Sequence, residues 1–219
     1  IKKIKNLNVG NAAALVLNPQ NGEILAMVGS KDYFDLPSEG NVNVTLQKRS
    51  PGSSIKLINY AYALSNGYKA STILSDTPVT FRILGQPIYT PRNYDRQFRG
   101  NLTLRNAFAQ SRNIPAIKLV QSYGIDKMIA LGQKMGITTW DDPRGYGPSI
   151  TLGGGEVKML DLAQVYATVA NQGQRPPITP ILTVKNYDGE LLDTKPCFWQ
   201  SEYCKSEQIL DTRVAFILT

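Results

Sequence analysis

"KRSPGSSIKLINYAYAL" runs from Lys48 to Leu64 and sets Ser53 three residues ahead of Lys56, at the start of a helical pattern. Leu57, Ala61 and Leu64 fall on one helical face with Ile58 and Tyr62 beside it, and Asn66-Gly67 ends the run. Pro51 and Gly52 allow a sharp entry, and the N–H groups of a first turn have no intrahelical partner. Residues i and i+3 share a helix face, so the spacing predicts Ser53 Oγ and Lys56 Nζ within hydrogen-bond reach. Taken locally, the pair is either a nucleophile with its base or two ordinary polar residues at a helix start.

Composition narrows that choice. The chain has no histidine, which excludes Ser-His-Asp and Cys-His catalysis and leaves acid/base work to lysine, a carboxylate or tyrosine. A neutral lysine can take a serine proton, and a helix N-terminus favours the alkoxide while disfavouring the ammonium. Two cysteines, Cys197 and Cys204, cannot complete a zinc site alone. They read as a local disulfide or as two free thiols; a disulfide would mean an oxidising compartment.

At 219 residues and 42% hydrophobic content the chain can bury a substantial core, and it reads as a soluble globular domain without repeats or a linker. No stretch reaches the ~18–20 apolar residues of a membrane helix, and "IKKIKNLNVG" has no apolar segment behind it to make a signal peptide. The start at Ile1 and the apolar, helix-like "RVAFILT" at the end lead us to expect a piece of a longer, membrane-anchored protein. A formal charge of +7 favours anionic partners, whether nucleic acid, acidic lipid or an acidic polymer such as cell-wall material, and charge alone does not choose among them. Basic residues are spread without a run of five or more, which argues against nucleic acid.

Along the chain, Ala12 to Ser30 reads as a β-hairpin around Asn18-Pro19-Gln20-Asn21-Gly22. Thr103 is the predicted N-cap of a short helix through Gln110, and Pro115 opens a second that closes at Gly124. "IDKMIALGQKMG" and "EVKMLDLAQVYATVANQG" are further amphipathic helices, and a hairpin turns at Tyr187-Asp188-Gly189 before a short strand. Gly153-Gly154-Gly155 reads as helix-entry packing rather than a phosphate loop, since no Lys-Ser/Thr follows. Trp140 and Trp199 read as packing anchors. Tyr89, Tyr94 and Phe98, with Arg92, Arg96 and Arg99, line a groove or cover a helix.

A second polar group lies on the tight connection between two of these helices. Ser111-Arg112-Asn113 offers a hydroxyl that can relay a proton and an amide that can donate and accept. Ser-x-x-Lys and Ser-x-Asn each occur once, in that order. Followed by Lys-Thr-Gly, they make the set of penicillin-binding proteins and class A β-lactamases.

With "NPQNGEILAMVG", "RSPGSSIKL", "LSDTPVTF", "YTPRNYDRQFRGNLTLRNAFAQSRNIPAIKL", "LGGGEVKMLDLAQVYATVANQG" and "ILDTRVAFILT", the chain resembles the transpeptidase domain of a class A, bifunctional penicillin-binding protein over most of its length. The resemblance implies an α/β (α+β) fold with an antiparallel sheet flanked by helices and an all-helical subdomain. It makes residues 1–219 the N-terminal and central part of one domain.

The resemblance also implies chemistry. Ser53 would attack the D-Ala-D-Ala carbonyl of a peptidoglycan stem peptide, with Lys56 as base, Ser111 as proton relay and Asn113 bonding substrate and lysine. The Ser53 N–H would form half of the oxyanion hole, and β-lactams would acylate the same serine. No cofactor or metal is implied. The place of work would be the extracytoplasmic face of the bacterial membrane, through an anchor outside this chain, beside cell-wall synthesis partners and an upstream glycosyltransferase.

Departures exist. No Lys-Thr/Ser-Gly occurs, and Lys134-Met135-Gly136 comes too soon after Asn113 to replace it. The isolated chain is therefore expected to be inactive without that motif. Leu57 also follows the lysine where many relatives have proline. Competing readings are a D,D-carboxypeptidase, a non-catalytic penicillin-binding module, or a serine β-lactamase, for which Glu156, at a predicted helix start, is the one nominated carboxylate.

Overall fold

A computed structural model of the chain describes residues 9–81, 88–193 and 206–219. The first hairpin is present: β1 (Ala14–Leu17) pairs antiparallel with β2 (Ile24–Val28). Asn18 Oδ1 accepts the Gln20 N–H at 3.0 Å across its turn, a local bond that asparagine makes readily. A polar loop leads to β3 (Lys48–Arg49), then a 3-10 turn over Gly52–Ile55 runs straight into α1 (Lys56–Ser65).

β4 (Ile73–Asp76) and β5 (Gly100–Thr103) pair antiparallel, and β5 enters α2 (Leu104–Ala109). Thr103 caps that helix as the sequence predicts, its Oγ1 accepting the Asn106 N–H at 3.2 Å. α3 (Asn113–Tyr123) and α4 (Ile125–Met135) follow, then a 3-10 turn over Pro148–Leu152. β6 (Val157–Lys158) pairs with β3 and opens into α5 (Met159–Ala170). The chain continues through β7 (Gln174–Arg175), β8 (Val184–Lys185), β9 (Leu191–Asp193), β10 (Glu207–Gln208) and α6 (Thr212–Leu218). β8 with β9 forms the hairpin expected at Asp188-Gly189, and β10 pairs with β7.

The class is α/β as expected, and its described strands form five separate two-stranded ladders. Three helix starts differ from the sequence reading, that of α1, at Lys56 rather than Ser53, among them. α3 starts at Asn113 rather than Pro115, because a proline within a first turn gives up only an N–H that has no partner there. α5 starts at Met159, since Val157 and Lys158 are taken by pairing with Lys48 and Arg49, a tertiary contact that overrides helix propensity. Gly153-Gly154-Gly155 accordingly packs after the 3-10 turn and not at the α5 entry. Cys197, Cys204 and Trp199 lie outside the described residues. Among the described residues no helix is long and apolar enough to cross a membrane.

α1 is the central element, and it divides the apolar interior. Leu57, Ile58 and Ala61 pack with Val120, Met128, Ile129, Trp140 and Val165 on one side. Tyr60 and Ala63 pack with Leu104, Ala116 and Leu119 on the other. Trp140 is fully buried, as an anchor should be. A helix apolar on two sides must be interior, and its one buried amide is fully used. Asn59 Nδ2 donates to Ala116 O at 2.8 Å and Thr151 Oγ1 at 2.6 Å, and Asn59 Oδ1 accepts from Tyr123 at 2.6 Å. The lysine of the opening stretch is thus carried by the most firmly packed helix of the fold.

Candidate active site

Ser53 stands on the 3-10 turn that precedes α1, with its side chain exposed. The turn is fixed from both ends. Ser50 Oγ donates to Gly153 O at 2.9 Å, Ser54 Oγ donates to Pro51 O at 2.6 Å, and Ile55 is fully buried. Gly153 has φ +97°, and a Cβ there would run into the Gly52 backbone. Gly153→Ala combines a left-handed backbone with that collision. We expect it to lower Tm by at least about 3 °C and to slow any reaction at Ser53, checked by thermal unfolding and penicillin labelling.

Lys56 begins α1 and is buried at 1% exposure. Its ammonium makes three bonds: to Ser111 O at 2.6 Å, Ser111 Oγ at 3.1 Å and Asn113 Oδ1 at 2.7 Å. Burial first, and the Arg112 cation second, bring its pKa down to about 8. Ser111 closes α2 in a left-handed conformation, φ +52°, which is uncommon for a residue with a Cβ and turns both of its oxygens to one amine.

Asn113 opens α3 with its amide orientation settled by its neighbours. Nδ2 donates to Arg92 O at 2.9 Å, so Oδ1 is the atom left to accept from Lys56. Its backbone N–H donates to Asn93 Oδ1 at 2.9 Å.

Three of the four predicted residues, Lys56, Ser111 and Asn113, are therefore directly bonded. The fourth is near in sequence but not bonded: among the described residues no hydrogen bond joins Ser53 Oγ to Lys56 Nζ, contrary to the i, i+3 expectation. Two physical reasons account for it. Ser53 is in a 3-10 turn and not in the α-helix, and the three protons of the ammonium already have acceptors. Glu156 is exposed and lies ahead of β6 rather than at a helix start.

Sequence reasoning passed over Asp76, Asn93 and Arg112. All three are buried, and Arg112 joins Asp76 through Nε at 2.9 Å and Asp95 through Nη1 at 2.8 Å. Asp76 in "LSDTPVTF" and Asn93 in "PRNYD" are an acid and an asparagine that no periodicity singles out, and Arg112 stands between Ser111 and Asn113. The Arg92–Arg99 loop meets the start of α3 through the Arg92 carbonyl and the Asn93 side chain, while Tyr94 and Phe98 are exposed. A cavity of about 500 Å³ lined by Leu64, Leu104, Phe108 and Phe216 lies between α1, α2 and α6, and none of the four predicted residues lines it. Among the described residues no group of three or more His, Cys, Asp or Glu converges as a metal site.

Chemically, the site offers an exposed hydroxyl at a helix start, a buried amine whose basicity is lowered, and a hydroxyl beside it that can donate or accept. Residues 12–215 match the penicillin binding protein transpeptidase domain family. Penicillin-binding protein 1B of Vibrio cholerae is 36% identical over 83% of this chain. The chain spans about a quarter of the curated relatives it matches, 23% of that protein and 24% of penicillin-binding protein 1A of Rickettsia typhi. In structure it is similar to penicillin-binding protein 1A from Haemophilus influenzae, with a TM-score of 0.82 and 26% identity over 95% of this chain and 34% of that one. Penicillin-binding protein A from M. tuberculosis, solved as a ceftriaxone acyl-enzyme complex, shares the fold at a TM-score of 0.79 and 21% identity, over 94% of this chain and 54% of that one.

Proposed function

The chain belongs to the penicillin-binding protein transpeptidase family, and on that premise we propose that it is the serine acyl-transfer part of a class A peptidoglycan D,D-transpeptidase. Ser53 is the nucleophile, Lys56 the base, Ser111 the relay and Asn113 the orienting amide. The observation that carries this reading is the buried Lys56 amine held by Ser111 and Asn113.

The steps follow from the donors and acceptors. With a pKa near 8, about a tenth of the amines are neutral at pH 7, where an ordinary lysine would be neutral about once in several thousand. A neutral amine keeps two donors for Ser111 O and Asn113 Oδ1, which can only accept. Ser111 Oγ, by contrast, can reverse and donate. Ser53 Oγ gives its proton to the amine as it attacks the carbonyl carbon of the penultimate D-Ala, a contact that closes in the substrate complex. The tetrahedral adduct collapses to a serine ester, and the terminal D-Ala leaves with a proton passed from Lys56 through Ser111. An amine from a neighbouring stem peptide then attacks the ester, its proton returns by the same route, and Ser53 is restored. A β-lactam amide bond opens the same way, giving an ester on Ser53.

The N–H of Ser53, in a first turn with no intrahelical acceptor before it, supplies one oxyanion donor. We assign the second to a Lys-Thr-Gly segment that is not in this sequence, and take residues 1–219 as the N-terminal and central part of the domain. Work on the cell wall, outside the cytoplasm and through an anchor elsewhere in the protein, completes the reading.

Peptide mapping by mass spectrometry tests it. After reaction with penicillin, trypsin should release the peptide Ser50–Lys56 carrying the whole mass of the antibiotic, with fragment ions placing it on Ser53 rather than Ser50 or Ser54. Loss of one oxyanion donor costs ~10²–10³ in rate. The chain by itself should therefore react slower by that factor than a form extended through Lys-Thr-Gly. An extended form that gains no adduct would overturn the assignment, and rapid turnover of the adduct would favour a β-lactamase.

A further inference from the structure

We propose that Arg112 is the positioning residue of this site: clamped between Asp76 and Asp95, it fixes the two residues that hold the Lys56 amine and straps the Arg92–Arg99 loop across them. The proposal rests on the reading of Lys56 as base.

The geometry is a chain of fully used groups. Arg112 is 6% exposed and Asp76 0%. The guanidinium donates through Nε to Asp76 Oδ2 at 2.9 Å, through Nη1 to Asp95 Oδ2 at 2.8 Å, and through Nη2 to Gln97 O. Asp76 is used on both oxygens, accepting also from Asn93 Nδ2 at 2.7 Å and from the Arg99 N–H at 3.0 Å. Asn93 in turn accepts the N–H groups of Asn113 at 2.9 Å and Ile114 at 3.4 Å. From the cation outward, every bond ends on β4, on the 92–99 loop or on the first turn of α3.

Two consequences bear on Lys56. Arg112 is the peptide neighbour of both Ser111 and Asn113, so anchoring its side chain fixes the strained Ser111 backbone on one side and the start of α3 on the other. A left-handed conformation in a residue with a Cβ persists only where its surroundings hold it. A planar fork reaching two carboxylates and a carbonyl at once suits that task; a lysine ammonium would reach them as a point charge.

The second consequence is electrostatic. Among the described residues the charge that bears on Lys56 is that of Arg112, from the α2–α3 connection. Asp76 from β4 and Asp95 from the loop face the guanidinium, and Tyr60, one turn further along α1, is held neutral by burial, with Asp76 adding to the effect. Removing the cation leaves Asp76 unopposed beside the site, and both changes favour an ammonium on Lys56.

Titration of the Lys56 amine by NMR in lysine-labelled chain tests this without any reaction, the resonance being assigned by its loss in Lys56→Met. Failure here is thus separate from failure of acylation. In Arg112→Gln the midpoint should rise from about 8 by roughly one pH unit or more, and amide exchange over residues 93–98 should speed up at least about tenfold. Arg112→Lys, which keeps the charge but loses the fork, should return the midpoint toward the wild-type value while the loop still exchanges faster. If Arg112→Gln does not fold, the paired amides of Asp76→Asn/Arg112→Gln serve in its place, with a smaller rise expected. An unmoved Lys56 midpoint with unchanged loop exchange in the folded variant overturns the proposal, whatever happens to Tm.

Discussion

Ser53→Ala should abolish covalent labelling by penicillin completely, in a form of the protein that carries Lys-Thr-Gly, while thermal unfolding stays where it was. The expectation of total loss rests on bond-making. The antibiotic is retained only as an ester, an ester needs a hydroxyl, and the neighbouring Ser50 and Ser54 hydroxyls are already donating to Gly153 O and Pro51 O. The expectation of unchanged stability rests on exposure. Ser53 has an exposed side chain without a hydrogen bond to Lys56, and surface substitutions of that kind usually stay within about 0.5 kcal/mol. The two readouts together separate a nucleophile from a structural serine. Equal labelling of wild type and variant would remove Ser53 from the mechanism.

Lys56→Met should slow acylation by about 10²–10⁴-fold, the range general-base catalysis normally supplies. Methionine fills the buried stem without a charge, but leaves Ser111 O and Asn113 Oδ1 without their donor, each a loss of about 1–3 kcal/mol. Relief of the buried ammonium offsets part of that. The pH dependence discriminates further. If the neutral amine is the working form, as proposed, wild-type acylation should climb with pH through about 8 and then level, whereas the residual rate of the variant should lack that step. For stability the sign is equally definite. The folded-state pKa of Lys56 lies below its ordinary value of 10.5, so between about 8 and 10.5 the unfolded chain binds more protons than the native one. This group's contribution to stability therefore rises with pH across that window, and the rise should vanish in Lys56→Met. Stopped-flow acylation and urea unfolding at several pH values check both statements.

Much of this site could be read from the sequence because its parts sit at fixed spacings on recognisable elements. Ser-x-x-Lys before an amphipathic run and Ser-x-Asn on an interhelical turn led to Lys56, Ser111 and Asn113, which the fold brings into contact. The Thr103 cap and the hairpins at Asn18 and Gly189 were legible for the same reason, since turn and cap chemistry is local. What escaped is not local. Arg112 meets Asp76 and Asp95 across 36 and 17 residues, and single side-chain pairs at such separations leave no period in the sequence. The β3–β6 pairing that shortens α5 involves two residues per strand, too few to alternate visibly. The turn that carries Ser53 reads as α-helix because 3-10 and α share their first-turn residue preferences. Burial of Ile55 and the bond from Ser50 to Gly153 decide the difference, and only tertiary contact supplies them.

The distances along the chain spanned by the Lys56 and Ser50 bonds bear on when reactivity first appears. The amine meets partners 55 and 57 residues away, and the turn holding the hydroxyl is tied to a carbonyl 103 residues on. Closing such loops carries an entropy cost recovered only when the interior packs. A peptide with Ser53 and Lys56 alone has an ordinary alcohol beside an ordinary ammonium, and so has the newly made, still unfolded chain. On the proposed reading, susceptibility to the antibiotic is acquired at maturation, and a penicillin present during synthesis would meet an inert precursor until the last long closure is made.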